Sequence, residues 1–154
     1  FAAHVPIVEI DPETFEIKII QYYIAHDCGV QINPQIVEGL VYGGTMRGID
    51  AALFSQYCYS EDGQLLSQTF MDHLLSSAME VPHITVTDHC TPAPGHPLGA
   101  KGAGEGGYMT APAAVISAVE DALSDYGLFL SDIPVSPTRL RELVRELTGL
   151  GKLA

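Results

Sequence analysis

Between Pro92 and Gly107 the chain gathers three of its ten prolines and six of its fifteen glycines. Prolines fix the backbone on the way in, and glycines free it on the way out, so regular structure must fall on either side of this stretch. Within it, Glu105 stands between Gly104 and the pair Gly106-Gly107. Glycines let a ligand approach the backbone closely, and consecutive N–H groups can converge on an anion. A carboxylate in that setting has little to pair with, and desolvation would raise its pKa towards that of a general base. A surface loop carrying a solvated glutamate is the competing reading, since a glycine-rich motif alone is weak. The G-x-x-x-x-G-K-[ST] pattern of a nucleotide-phosphate loop is absent.

On the N-terminal side, residues 4–10 and 16–25 alternate as strands, and Asp11-Pro12-Glu13-Thr14 supplies the turn of an antiparallel hairpin. The second strand becomes apolar on both faces, which predicts a place in the middle of a sheet. Asn33-Pro34 reads as cap and first residue of a helix over 34–54. That helix carries Gly39, Gly43, Gly44 and Gly48, each costing about 0.5–1 kcal/mol relative to alanine. Either a flat ligand or another backbone approaches the bared face, or the helix packs tightly on its own sheet.

Asp62-Gly63 marks a hairpin or tight turn, and residues 70–75 are ambiguous between elements. Residues 84–87 form a short strand leading into the Pro/Gly stretch. An amphipathic helix follows over 112–126, with Val115, Ile116, Val119, Ala122 and Leu123 in its stripe. Ser136 caps a last helix that ends at Gly149. Hairpins mixed with helices, without regular βαβ alternation, predict an α+β domain with a mixed sheet.

At 154 residues, 47% hydrophobic and 17% charged, the chain can bury one core. A net charge of −12 excludes nucleic acid and anionic membrane surfaces as partners. Cys28, Cys58 and Cys90 are too scattered for a disulfide framework or a metal cluster, and read as structural thiols of a reducing, cytoplasmic compartment. His26, His73, His83, His89 and His96 show no paired metal-ligand spacing, so no protein metal ligand is expected. No run is long enough to insert into a membrane. The chain begins at Phe1 rather than Met, and residues 1–154 are expected to be a piece of something longer.

Several segments together resemble one family. They are Val8-Glu9-Ile10-Asp11-Pro12-Glu13-Thr14, His26-Asp27-Cys28-Gly29 with Ile32-Asn33-Pro34, and Val37-Glu38-Gly39 with Gly43-Gly44. Further on come Thr69-Phe70-Met71-Asp72, Thr91-Pro92-Ala93-Pro94, Pro97-Leu98-Gly99-Ala100-Lys101-Gly102-Ala103-Gly104-Glu105, and Ala111-Pro112-Ala113-Ala114 with Ala118-Val119-Glu120-Asp121-Ala122-Leu123. In order and spacing these resemble the C-terminal part of the molybdopterin-binding large subunit of the xanthine dehydrogenase family. That family, the molybdenum hydroxylases, includes the aerobic carbon monoxide dehydrogenase-like large subunits.

The resemblance implies an oxidoreductase in which a glutamate takes a proton from a molybdenum-bound hydroxide whose oxygen adds to an electrophilic carbon. The metal is held by the sulfurs of the pterin, and electrons leave through iron–sulfur clusters to a flavin. The family's glutamate falls on Glu105, and Gly102, Ala103 and Gly104 fall on backbone close to the pterin. Asp27, Cys28, Gly29, Ile32 and Asn33 match a segment that contacts the dinucleotide form of the cofactor, here expected to be the cytosine dinucleotide. Lys101 is the obvious cation near an anionic cofactor, with a solvated loop lysine as the competing reading.

Implied partners are the remainder of the large subunit, an iron–sulfur small subunit, an FAD-binding medium subunit and a small-molecule substrate. This chain alone is expected to be inert. It departs from the family where a glutamine commonly follows Val-Glu-Gly and Leu40 stands instead, and where Arg47 replaces a later glutamine. Loss of an amide donor leaves polar cofactor atoms short of a partner. A non-catalytic binding or assembly module that kept the fold is therefore the alternative.

Overall fold

A computed structural model describes residues 1–149. Strand β1 (Ala2–Ile10) alternates half-buried and exposed residues along its length. It pairs antiparallel with β2 (Ile17–His26), from Ala2 opposite His26 to Ile10 opposite Ile17, with one irregularity between Ile7 and Val8. The turn is tied by Asp11, whose Oδ1 accepts the N–H groups of Glu13 and Thr14, both at 2.8 Å. Phe15 closes it at φ 61°, a left-handed conformation unusual for a bulky residue. Its ring packs on the core, which offsets that strain.

Helix α1 (Pro34–Leu53) begins where expected: Asn33 Oδ1 accepts the Ile36 N–H at 3.1 Å, and Pro34 occupies the first turn. Strand β3 (His83–Asp88) lies parallel to β2, from Gln21 opposite His83 to His26 opposite Asp88. The sheet order is β1-β2-β3, which puts the doubly apolar β2 in the centre. The architecture is an α+β fold with a mixed sheet.

Helix α2 (Ala111–Ala122) packs on β1 and against α1. It stops short of the expected Tyr126. The Leu123 N–H reaches back to both Val119 and Glu120, the chain tightens into a 3-10 turn at Ser124–Tyr126, and left-handed Gly127 ends it. Helix α3 (Pro137–Thr148) is capped by Ser136, whose Oγ accepts the Arg139 N–H at 3.2 Å. The Asp62-Gly63 segment makes a tight turn, with Gly63 at φ 80° and a single bridge between Tyr59 and Leu65, and residues 70–75 contain no regular element beyond turns. Tyr22, Ile24, Val41, Ile49, Ala52, Val115, Val119, Val135 and Leu140 form the core between sheet and helices. Cys28 is a buried thiol, whereas Cys58 and Cys90 are exposed.

The glycines of α1 do not serve packing on the sheet, contrary to the more conservative expectation. A Cβ on Gly44 would lie 3.0 Å from the Tyr108 nitrogen, and one on Gly48 would lie 3.1 Å from both Pro112 Cδ and the Tyr108 carbonyl. These two positions admit the end of the Pro/Gly stretch and the start of α2. Gly39 and Gly43 face open space, with nothing within 4 Å of where a Cβ would stand. They are the bared face.

Candidate functional site

The expected site residues fall into two neighbouring groups. The first begins where β2 ends. Asp27 Oδ1 accepts the N–H of Gly29 at 2.8 Å and of Thr91 at 3.1 Å, while its Oδ2 meets Lys101 Nζ at 2.9 Å. The Lys101 ammonium, together with the Gly29 N–H, holds the Asp27 carboxyl well below the usual carboxylate range. Gly29 sits at φ 67° and bridges Ala100; a Cβ there would strike the Gly99 carbonyl. Lys101 N–H closes the stitch on the Cys28 carbonyl at 2.8 Å, and burial pushes the Cys28 thiol pKa up.

The charge of Lys101 is therefore compensated within the chain, and its Nζ also lies 5.2 Å from the Phe1 ring centroid. Ile32 is exposed, and Asn33 spends its carboxamide oxygen on the α1 cap. The two residues flank the helix start and do not touch the Glu105 group.

The second group surrounds Glu105. Its side chain is exposed, so the desolvated setting expected for it is not built by the described residues. Its backbone is well anchored. The Gly106 carbonyl accepts from His4 Nε2 at 3.1 Å. A carbonyl can only accept, so His4 carries its proton on Nε2, and its Nδ1 accepts the Tyr22 hydroxyl at 3.0 Å. The Gly107 carbonyl accepts the hydroxyl of buried Thr45 at 3.2 Å. A Cβ on Gly106 would enter the His26 ring, and one on Gly107 would strike the Val41 carbonyl.

His26 is 1% exposed, and neither ring nitrogen has a partner among the described residues. Burial keeps the pKa of both His26 and His4 below the ordinary histidine value. Both rings are neutral packing and anchoring elements.

In front of this anchored turn the backbone is bare. None of the N–H groups from Gly102 to Gly107 donates a hydrogen bond to a described residue. Glu105 shares an open cleft of about 410 Å³ with Gly39, Leu40, Gly43, Gly44, Arg47, Gly104 and Tyr108. Of the expected residues, Leu40, Gly104 and Glu105 thus meet directly, and Gly102 and Ala103 connect them to the Asp27–Lys101 knot. The Arg47 guanidinium lies 5.6 Å from the centroid of the Tyr108 ring.

A larger cleft of about 710 Å³ adjoins, sharing Gly43, Arg47 and Tyr108 with the first. There Tyr57 stacks on His73, and Asp50 Oδ1 accepts the Ser76 N–H at 2.8 Å. It has no carboxylate comparable to Glu105, so the smaller cleft is the better candidate for proton chemistry.

Sequence reasoning missed His4, Tyr22, Thr45 and Tyr108. Only one signal pointed to any of them. His4 and Thr45 are polar residues inside otherwise apolar-patterned elements, and a polar residue there needs a partner.

The molybdopterin cofactor-binding domain family model matches residues 1–82. The chain is 41% identical over 147 residues to the nicotine 6-hydroxylase large subunit of Paenarthrobacter nicotinovorans, covering 96% of this chain and 18% of that protein. It is 36% identical to the carbon monoxide dehydrogenase large chain of Hydrogenophaga pseudoflava, over 95% of this chain and 18% of that one. Quinoline 2-oxidoreductase from Pseudomonas putida 86 superposes with a TM-score of 0.89 at 38% identity, covering 93% of this chain and 18% of that chain. The chain spans less than a fifth of the length of these relatives.

Proposed function

The chain belongs to the molybdopterin cofactor-binding domain family found in molybdenum hydroxylase large subunits, and from that premise we propose that residues 1–154 form the C-terminal part of the cofactor domain of a hydroxylase-type oxidoreductase. The observation that carries the reading is the run of unpaired N–H groups from Gly102 to Gly107, beside Glu105 and opposite the bared face of α1. Adjacent donors with no acceptor among the described residues, Gly104 and Glu105 of them in the cleft wall, fit the electronegative edge of a pterin. Open space over Gly39, Gly102 and Gly104 gives a flat group access to the backbone. The residues present fit the cofactor.

When bound, that cofactor supplies the redox chemistry of hydroxylation. The chain's own part is positional and acid–base. Gly102, Ala103 and Gly104 hold the pterin edge through the backbone. Asp27, Cys28 and Gly29, knotted to Lys101, and Ile32 and Asn33 at the start of α1 are assigned to the dinucleotide end, for which the cytosine form is proposed. Glu105 receives a proton on a carboxylate oxygen, and the ties of Gly106 to His4 and of Gly107 to Thr45 keep it in place. The remainder of the large subunit is proposed to cover Glu105 and supply the desolvation this chain does not.

An iron–sulfur small subunit and an FAD-binding medium subunit are the proposed electron carriers, and the cytoplasm the proposed compartment. Among the described residues no helix is long and apolar enough to cross a membrane.

Glu105→Gln in the complete complex tests the assignment. Molybdenum and released-nucleotide content should stay unchanged while turnover falls by about 10²–10⁴-fold, the usual contribution of a general base. Turnover within a few-fold of wild type would remove Glu105 from the mechanism. Leu40, 41% exposed in the cleft wall where an amide would donate, favours the second reading of a non-catalytic binding module. A folded, matured complex without molybdenum would give that reading the lead.

A further inference from the structure

We propose that Arg47 selects for a planar aromatic substrate bearing a carboxylate, an inference that rests on the assignment of the Glu105 cleft above. Leu40 and Arg47 are seven residues apart on α1, two turns, so they share a face about 10.5 Å apart along the axis. Gly43 lies between them without a side chain, and all three line the same cleft as Glu105. The cleft therefore has an apolar end at Leu40, a bare floor at Gly43 and a cationic end at Arg47. A flat ring fits the floor, and its charged substituent belongs at the arginine.

The positive charge is free to take that role. Arg47 makes no ion pair or hydrogen bond with a described residue; its guanidinium stands over the Tyr108 ring at 5.6 Å. Association with the ring face holds a guanidinium while leaving its N–H edge open, and that planar edge matches a carboxylate in a two-bond fork. The other nearby cation, Lys101, is already compensated by Asp27. In a chain of net charge −12, Arg47 is the one cation among the residues described as lining the cleft, and it offsets the charge of Glu105 there.

Position argues for the substrate over the cofactor as its partner. Asn33, in the segment assigned to the dinucleotide end, precedes Arg47 by fourteen residues, about 21 Å along α1. Arg47 also stands on the boundary with the 710 Å³ cleft, which leads away from the Gly102–Gly104 backbone. The cofactor thus approaches from the start of α1 and the substrate from the Arg47 side.

The test is equilibrium binding by calorimetry to the complete complex, with benzoate and its neutral isostere benzamide as probes. Wild type, Arg47→Gln and Arg47→Lys are compared, with molybdenum content measured on each. Wild type should prefer benzoate by about ten- to a hundred-fold, the scale of a charge-assisted fork. Arg47→Gln should lose that preference at unchanged molybdenum content, and Arg47→Lys should keep only part of it, since lysine retains the charge without the fork.

Equal affinity for the probes in wild type, a preference that survives Arg47→Gln, or binding of neither probe overturns the proposal. So does loss of molybdenum from Arg47→Gln, because Arg47 would then serve the cofactor. Binding is read without turnover, so an active Glu105→Gln complex would sink the base assignment while leaving the Arg47 measurement intact.

Discussion

Four glycines on α1 set helix propensity against packing within a single helix. Gly→Ala in a helix interior stabilises by about 0.5–1 kcal/mol when the new methyl meets nothing. Gly43 satisfies that condition, with no atom within 4 Å of its Cβ position. At Gly48 the methyl would lie 2.5 Å from Ala111 Cβ and 3.1 Å from Pro112 Cδ and the Tyr108 carbonyl. Two of those atoms are side-chain carbons held at the first turn of α2, so the neighbours cannot give without moving that helix. Overpacking of this kind costs about 1–3 kcal/mol.

Subtracting the middle of the helix gain from the middle of the overpacking cost leaves Gly48→Ala destabilised by about 1 kcal/mol, whereas Gly43→Ala is stabilised by about 0.5–1 kcal/mol. Amide hydrogen exchange over α1, in the protein that carries this chain, reads both changes locally. Molybdenum content adds the decisive comparison. Gly43→Ala should strengthen α1 yet weaken cofactor or substrate retention, because its methyl enters the cleft. If Gly43→Ala is stable and fully loaded with unchanged substrate affinity, the bared face is not a ligand surface. If Gly48→Ala is as stable as wild type, the account of α1 packing is wrong.

Two further outcomes follow from the anchors of the glutamate turn. Thr45→Val preserves shape but leaves the buried Gly107 carbonyl without its donor, which should cost about 1–3 kcal/mol and show as faster exchange in α1 and the 105–109 turn; an unchanged exchange pattern would refute the anchor. The acid response follows from His4 and His26, whose folded pKa values burial holds below the unfolded value of about 6.5. The folded chain then binds fewer protons than the unfolded one, so stability should be flat above about pH 6.5 and decline as pH falls through the window beneath it. His4→Gln should flatten part of that decline in an unfolding titration, and a decline of wild-type slope would refute the assignment. Asp27 acts in the same direction but lower, since its stabilisation is present above the ordinary aspartate value and is lost only as pH falls through its depressed folded pKa.

Much of the scaffold was legible in the residues because its signals are local. The alternation of β1 and β2, the Asp11 turn, the Asn33-Pro34 cap and the Ser136 cap each act within four residues, and each element appeared where they placed it. Errors arose where distant partners decide. The end of α2 depends on Leu123 reaching a core assembled from distant residues, after which the chain tightens into the 3-10 turn at Ser124–Tyr126. Phe15 accepts a left-handed backbone because its ring reaches a core assembled from far along the chain.

The site divides along the same line. Sequence alone determined that one carboxylate would sit among glycines, because a run of residues without side chains is a property of the run itself. It also determined the family, since many short segments in fixed order identify it better than any one of them. Only the tertiary structure decided which of the α1 glycines touch protein and which face open space, that Lys101 is matched by Asp27, and that His4 and Thr45 hold the carbonyls beside Glu105. Those are contacts between residues up to about a hundred positions apart. Hydrogen bonding and steric exclusion act over a few ångströms of space, and no spacing along the chain encodes which distant atoms will come that close.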